Sequence, residues 1–288
     1  MIVCQLASSL FNISKKIARI SSQEFLQGKW SKLYSKANIP IDVIISPERE
    51  VAKSLFRKLE APGALDNVPF VKDKVKLLEI LIEKKCPIAN IPLSDLTKKF
   101  PEFKAYIFGA ERKEKFVFFK KNDQMKVGDK VYLVVSTDQI KKLLSVFGHD
   151  EKLAKKILII GGGNISLHLA KLLESSDGLR TKIIEKNKSR AEQLASELSS
   201  SIIICGDPLD EKILKEENIE EIETVFALTD DDEDNIMSCV LAEKYTPSKR
   251  TIAIINKHNY NILQESLKID DLVDPRMATV STIMKHVH

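Results

Sequence analysis

The chain has 288 residues, 43% hydrophobic and 30% charged, a balance that fits a globular protein and excludes a disordered or membrane-spanning one. That length exceeds one ordinary domain and predicts two or three. Its 45 basic and 41 acidic residues leave a formal charge of +4, and the basic positions Lys104, Arg112, Lys113, Lys115, Lys120 and Lys121 are interrupted; they read as a solvated face, with no nucleic acid partner implied.

The apolar opening, Met1 to Phe11, has no basic residues ahead of it and is read as part of a folded helix, not as a secretory signal. No apolar stretch reaches the length that spans a bilayer. Cys4, Cys86, Cys205 and Cys239 lie far apart without a CxxC pair, which argues against a zinc site or a disulfide framework and fits a reducing cytoplasm. Further on, Val75 to Ile82 and Lys130 to Val135 predict strands, Pro92 to Phe100 and Gln139 to Phe147 short helices, and Lys126 to Asp129 a turn. Residues 60–148 are therefore expected to form a small α+β module suited to packing or dimerisation.

From Lys156 the texture changes. Ile157 to Ile160, Lys182 to Ile184, Ile202 to Cys205, Val225 to Leu228 and Ile252 to Ile255 are apolar nearly throughout, which suits strands covered on both faces. Helical spacings such as Ile165, Leu169, Leu172 and Leu173 lie between them. Strand and helix in alternation predict an α/β, Rossmann-like, doubly wound parallel sheet over 156–288.

The first of these strands runs into Gly161-Gly162-Gly163-Asn164-Ile165-Ser166 and then a helix. Glycines there permit a tight turn and close approach of a pyrophosphate, whose charge is met by free amides at the helix N-terminus. Ser166 replaces the third small residue that packs helix on strand. Glu185 closes the second strand, where such a fold places a carboxylate against ribose hydroxyls; it would repel a 2′-phosphate, although Lys186 is adjacent. The predicted site is completed at other strand ends by Asp207, toward an adenine or as a turn or helix cap, and by Thr229 with Asp230. The acidic run Asp230 to Asp234 reads either as a cation site or as carboxylates stabilised by a helix dipole, the second being preferred, so no metal is assigned.

The chain also repeats itself. Cys4-Gln-Leu-Ala and Lys16-Ile-Ala align with Cys239-Val-Leu-Ala and Thr251-Ile-Ala at a shift of 235, and Ile41-Asp42 to Ser46-Pro47 aligns with Ile269-Asp270 to Asp274-Pro275 at a shift of 228. If the second copy begins near Lys156, the first would begin about eighty residues before Met1. Residues 1–59 are then expected to be only the last third of a Rossmann-like unit, with strand edges that need pairing.

Three functions fit these residues: a nucleotide-sensing regulator, a structural module with a vestigial site, and an NAD-dependent dehydrogenase. A dehydrogenase needs a proton donor or acceptor near the nicotinamide. Of His149, His168, His258, His286 and His288 only His258 follows a strand end, and His168 is expected to be solvated on the first helix. Tyr245 and Lys249 have a Tyr-x-x-x-Lys spacing, but Pro247 between them breaks the helix that would align them. No catalytic residue is assigned.

Taken together, CQLASSLFN, KKIARI, IDVIISPEREV, IIGGGNIS, IIEKN, CGD, ALTDDDEDNIMSCVLA and MATVSTIMKHV resemble the TrkA family of bacterial potassium uptake regulators, which carry tandem RCK (KTN) domains. The likeness covers essentially the whole chain. It implies an RCK C-terminal subdomain over 60–148, and NAD(H) or ATP/ADP bound by Gly161, Gly162, Gly163, Asn164 and Ile165 at the phosphates, Glu185 at the ribose, Asp207 on the adenine side and Thr229 with Asp230 in the crevice. It further implies a homo-oligomer assembled through RCK domains, on the cytoplasmic face of the membrane, gating a membrane-embedded potassium translocating subunit. The chain departs from the family pattern at Ser166, a glycine elsewhere, and at Asn164, where some relatives carry a basic residue.

Overall fold

The computed structural model describes residues 2–11, 13–22, 25, 32–34, 38–102, 104–151, 153–245, 250–264 and 266–287. The chain divides into two compact units, one formed by residues 1–54 with 154–288 and the other by 55–153.

In the first unit six strands, β8 (Lys156–Ile160), β9 (Arg180–Glu185), β10 (Ile202–Cys205), β11 (Thr224–Ala227), β12 (Arg250–Ile254) and β13 (Asp271–Val273), pair in parallel in the order β10-β9-β8-β11-β12-β13. β11 is buried at every position, and β8 and β12 at all but their first residue, whereas the edge strands β10 and β13 are half-buried or exposed. That gradient is why the central runs are all Ile, Leu, Val, Phe and Ala: helices cover both faces and leave no face to water. The helices are α5 (Asn164–Glu174), α6 (Lys188–Glu197), α7 (Glu211–Glu216), α8 (Asp232–Tyr245) and α9 (Pro275–Val287). α6 and α7 begin where side-chain oxygens of Asn187 and Asp210 accept from the backbone N–H of Arg190 and Lys212. β13 went unrecognised as a strand in the sequence, since Asp271-Leu272-Val273 is three residues long and starts on a charge.

The internal repeat is visible hydrogen bond by hydrogen bond. Helix α1 (Ile2–Phe11), strands β1 (Ile17–Arg19) and β2 (Val43–Ile45) and helix α2 (Pro47–Glu60) correspond to α8, β12, β13 and α9. β1 and β2 form a two-stranded parallel sheet in which Ile17 faces Val43, just as Ile252 faces Asp271. The N–H of Lys16 donates to Asp42 Oδ2 at 2.7 Å, and the N–H of Thr251 donates to Asp270 Oδ2 at 2.7 Å. The N–H of Ile20 meets the carbonyl of Ile45, and that of Ile255 the carbonyl of Val273. Each copy then opens its last helix with a proline, Pro47 or Pro275, at a position where the missing N–H loses no bond. α9 lies against β2, and Thr282 Oγ1 donates to Glu50 Oε2 at 3.0 Å. Along α1, however, Ile2, Val3, Leu10 and Phe11 are exposed, although the equivalent α8 buries Ser238, Cys239 and Ala242 against its sheet.

The second unit is a five-stranded antiparallel sheet, ordered β3-β4-β7-β5-β6, from β3 (Asp66–Phe70), β4 (Val75–Leu81), β5 (Ala105–Arg112), β6 (Lys115–Phe118) and β7 (Lys130–Ser136). Helices α3 (Leu93–Lys99) and α4 (Ile140–Val146) supply Leu96, Leu143 and Leu144 to a core shared with Leu78, Ile80, Leu133 and Val135. β4 and β7 alternate buried and half-buried residues, as a sheet packed on one face must. Three strands here escaped the sequence reading, because Pro69, Gly109 and the charges of β5 and β6 interrupt the alternation. β5 and β6 are joined through Lys113 and Glu114, both with positive φ, the hairpin turn whose twist matches its strands. Arg112, expected on a solvated basic face, instead donates to both oxygens of the buried Asp129 at 2.8 and 2.6 Å.

Candidate nucleotide-binding crevice

Between β8 and β11 the strand order reverses direction, the switch point beyond whose strand carboxyl ends ligands bind in open parallel sheets. The ladder continues past these strand ends. The N–H of Gly161 donates to Ile184 O at 2.9 Å, that of Leu228 to Ile160 O at 2.8 Å, and that of Gly206 to Glu185 O at 3.0 Å.

Each glycine of the loop answers a different constraint. Gly161 has a φ of +92°, and a Cβ there would lie 2.9 Å from Thr229 Cγ2. At Gly162 a Cβ would lie 2.6 Å from Leu194 Cδ1 and 2.7 Å from Glu185 Oε2. Gly163 is different, for its nearest neighbour would be Leu228 O at 3.9 Å. It stands at the N-terminus of α5 with open space in front, and Asn164 and Ile165 form the first helical turn behind it. Ser166 is fully buried and its Oγ has no partner, so its small size is what the packing of α5 on the sheet uses.

Glu185 reaches back into the loop. Its Oε2 accepts from the N–H of Gly162 at 2.6 Å and its Oε1 from the N–H of Asn187 at 2.7 Å. A carboxylate has about four lone-pair sites, so two charge-assisted bonds to the backbone orient it and leave capacity for hydroxyls. Opposite, the N–H and Oγ1 of Thr229 both donate to Asn235 Oδ1 at 2.8 Å, while Asn235 Nδ2 donates to the carbonyls of Thr229 and Ile254. Asn235 is wholly buried and ties the ends of β11 and β12 together; the sequence reading passed over it inside an acidic run.

Gly161, Gly162, Gly163, Asn164, Glu185 and Thr229 thus come together. Asp207 and Asp230 follow β10 and β11, and among the described residues neither side chain hydrogen-bonds to the glycine loop. Asp207 is exposed and Oδ1 accepts from the N–H of Leu209, the turn role weighed for it. In the acidic run the carboxylates diverge. Asp231 accepts from the N–H of Asp234, and buried Asp232 from the N–H of Asn256 and of Lys257. Glu233 pairs with Lys257 at 2.8 Å, and these partners, with Tyr260, hold its carboxyl down at about 2. Among the described residues no group of three or more side chains could hold a metal ion.

One residue that the sequence reading missed enters the same loop. Arg190, in the first turn of α6, donates from Nε to Gly162 O at 2.6 Å and from Nη2 to Asn164 Oδ1 at 3.3 Å. The signal available was a basic residue five positions after Glu185. His168 corrects an expectation: it is half-buried, not solvated, and burial, aided by the charges of Arg49 and Lys171, pushes its pKa down to about 4. Of the dehydrogenase-like pair only Tyr245 is described, since Lys249 and Pro247 fall outside the described residues, as do the side chain of His258 and all of His288.

Residues 157–275 match the TrkA-N domain family and residues 77–148 the TrkA-C domain family. The chain is 42% identical over 288 residues to the Trk system potassium uptake protein TrkA of Azorhizobium caulinodans, which covers 100% of this chain and 63% of that protein. It is 35% identical over 287 residues to the protein of the same name from Vibrio alginolyticus, covering 62% of it. The chain therefore spans less than two thirds of the length of these relatives. Among solved structures, the GsuK RCK domain superposes with a TM-score of 0.61 at 16% identity, over 94% of this chain and 55% of that one. The GsuK channel bound to NAD does so with a TM-score of 0.62 at 15% identity, over 94% and 46%. At such identities the likeness is one of fold.

Proposed function

Because the chain belongs to the TrkA family, we propose that it is a nucleotide-binding regulatory module of a potassium uptake system, sensing NAD(H) or ATP/ADP and biasing the gating of a membrane-embedded potassium translocating subunit. The observation that carries this reading is the clamp between Glu185 and the glycine loop at the switch point of the sheet. Gly163 and the amides of the first turn of α5 would hold the phosphates, Glu185 the ribose, and Thr229 the far wall. The open space before Gly163 fits a phosphate, and GsuK, of the same fold, has been solved bound to NAD. Bound nucleotide acts on gating only through its different affinity for two arrangements of the assembly. We place the module in the cytoplasm, at the inner face of the membrane and in a homo-oligomer; no helix among the described residues is long and apolar enough to cross a membrane. The family's names point to transport and not to catalysis, so we assign it no enzymatic reaction.

The experiment is a thermal-shift titration with NAD, NADH, ADP and ATP, since a ligand that binds only the native state raises its melting temperature by mass action. Glu185→Ala is expected to weaken ribose-containing ligands by about 1 to 3 kcal/mol, the scale of a lost charge-assisted hydrogen bond. Gly163→Val is expected to abolish binding while leaving the protein folded, because a Cβ there meets only Leu228 O, at 3.9 Å. No shift with any of the four nucleotides would leave a structural module with a vestigial site as the reading.

A further inference from the structure

Arg190 forms no ion pair among the described residues; the carboxylate whose pKa its charge helps to lower, Glu197, is ion-paired with Lys171 instead. All four of its hydrogen bonds engage neutral acceptors: the N–H to Asn187 Oδ1, Nε to Gly162 O, Nη1 to Gln193 Oε1 and Nη2 to Asn164 Oδ1. Arg112, Arg250 and Arg276 differ from it, for each faces a carboxylate, Asp129, Asp271 or Asp274, within 3.0 Å. The nearby Glu197 is taken by Lys171 at 2.9 Å, and Glu185 gives both of its oxygens to backbone N–H groups. Neutral acceptors orient a guanidinium but leave its charge standing, and a half-buried charge in that condition is normally met by an opposite one. Two of its acceptors belong to the phosphate loop itself, so the guanidinium is fixed at the N-terminus of α5, where the helix dipole adds to its field. Of its five N–H donors three are engaged, which leaves two for a ligand.

We infer that Arg190 is a ligand-contacting, specificity-determining residue: it supplies the counter-charge for a phosphate on the ribose held by Glu185, and so restricts the crevice to 5′-phosphorylated nucleotides over nucleosides. This inference rests on the nucleotide reading of the crevice and deepens it. In place of a basic residue in the loop, where this chain has Asn164, the cation arrives from α6 and lies across Gly162 and Asn164.

Calorimetric titration of the full chain with NAD, ADP, AMP and adenosine, for the parent, Arg190→Gln and Arg190→Lys, tests it. Arg190→Gln is expected to weaken NAD, ADP and AMP about 10- to 100-fold, the scale of a lost charged hydrogen bond, with adenosine unchanged and a flatter salt dependence for ADP. Arg190→Lys keeps the charge and is expected to recover part of the phosphate-dependent affinity. Equal losses for ADP and adenosine would mean that Arg190 only shapes the loop through Gly162, and would overturn the assignment, as would unchanged ADP affinity. A parent chain that binds neither NAD nor ADP would overturn the nucleotide reading as well, an outcome distinct from either.

Discussion

At Gly162 both polar atoms of the residue are held from α6's side of the crevice, the N–H by Glu185 and the carbonyl by Arg190, and the missing side chain is what lets them close in. Half of this was legible in the sequence. A glycine triplet between strand and helix, and a carboxylate ending the next strand, imply each other's position through the fold's connectivity. Arg190 was not legible, since an arginine in the first turn of a helix looks like any solvated one until its acceptors are known. His168 shows the same limit from the other side. Its neutral form is favoured in the native chain, with a pKa of about 4 against about 6.5 unfolded. The unfolded chain therefore takes up the proton first as pH falls, so this contribution to stability is complete above pH 6.5 and is lost progressively between 6.5 and 4. Urea midpoints at pH 7.5 and pH 5 should fall for the parent and fall less for His168→Leu; equal slopes would show that His168 is not the responsible group.

At the scale of elements, the repeat explains why distant segments have the same shape. Asp42 and Asp270 each cap the preceding strand at the same register, although one copy pairs Ile17 with Val43 and the other Ile252 with Asp271. Sequence alone exposed the shift, because matched residues such as Ala18 and Ala253 occupy equivalent buried strand positions in both copies. What it did not expose were short or broken strands. β3, β5 and β6 lack clean alternation and are held by the neighbours they pair with. The hairpin of β5 and β6 is also anchored by Arg112. Burial alone would raise the carboxyl of Asp129, yet hydrogen bonds from Arg112 and from the N–H of Lys126 outweigh it and hold the pKa down. Removing the guanidinium strands a buried charge, so Arg112→Ala is expected to destabilise the second unit by about 3 kcal/mol in chemical denaturation. A loss below about 0.5 kcal/mol, typical of a surface position, would show that Asp129 finds other partners.

At the scale of the molecule, two units with separate cores predict two denaturation transitions when each is followed by its own probe. NAD or ADP should raise only the transition of the unit that holds residues 154–288. A nucleotide that shifted the other transition equally would mean that the two unfold as one. Composition and periodicity were enough to determine the α/β character of the C-terminal half and its strands other than β13, because these follow from local pattern and from the handedness of the connections. Tertiary structure alone decided which charges form ion pairs, that His168 is half-buried, and that residues 1–54 join 154–288 in one unit, with Thr282 bonded to Glu50. Those properties depend on what lies within a few ångströms across the fold, and a residue's neighbours in space are not its neighbours in the chain.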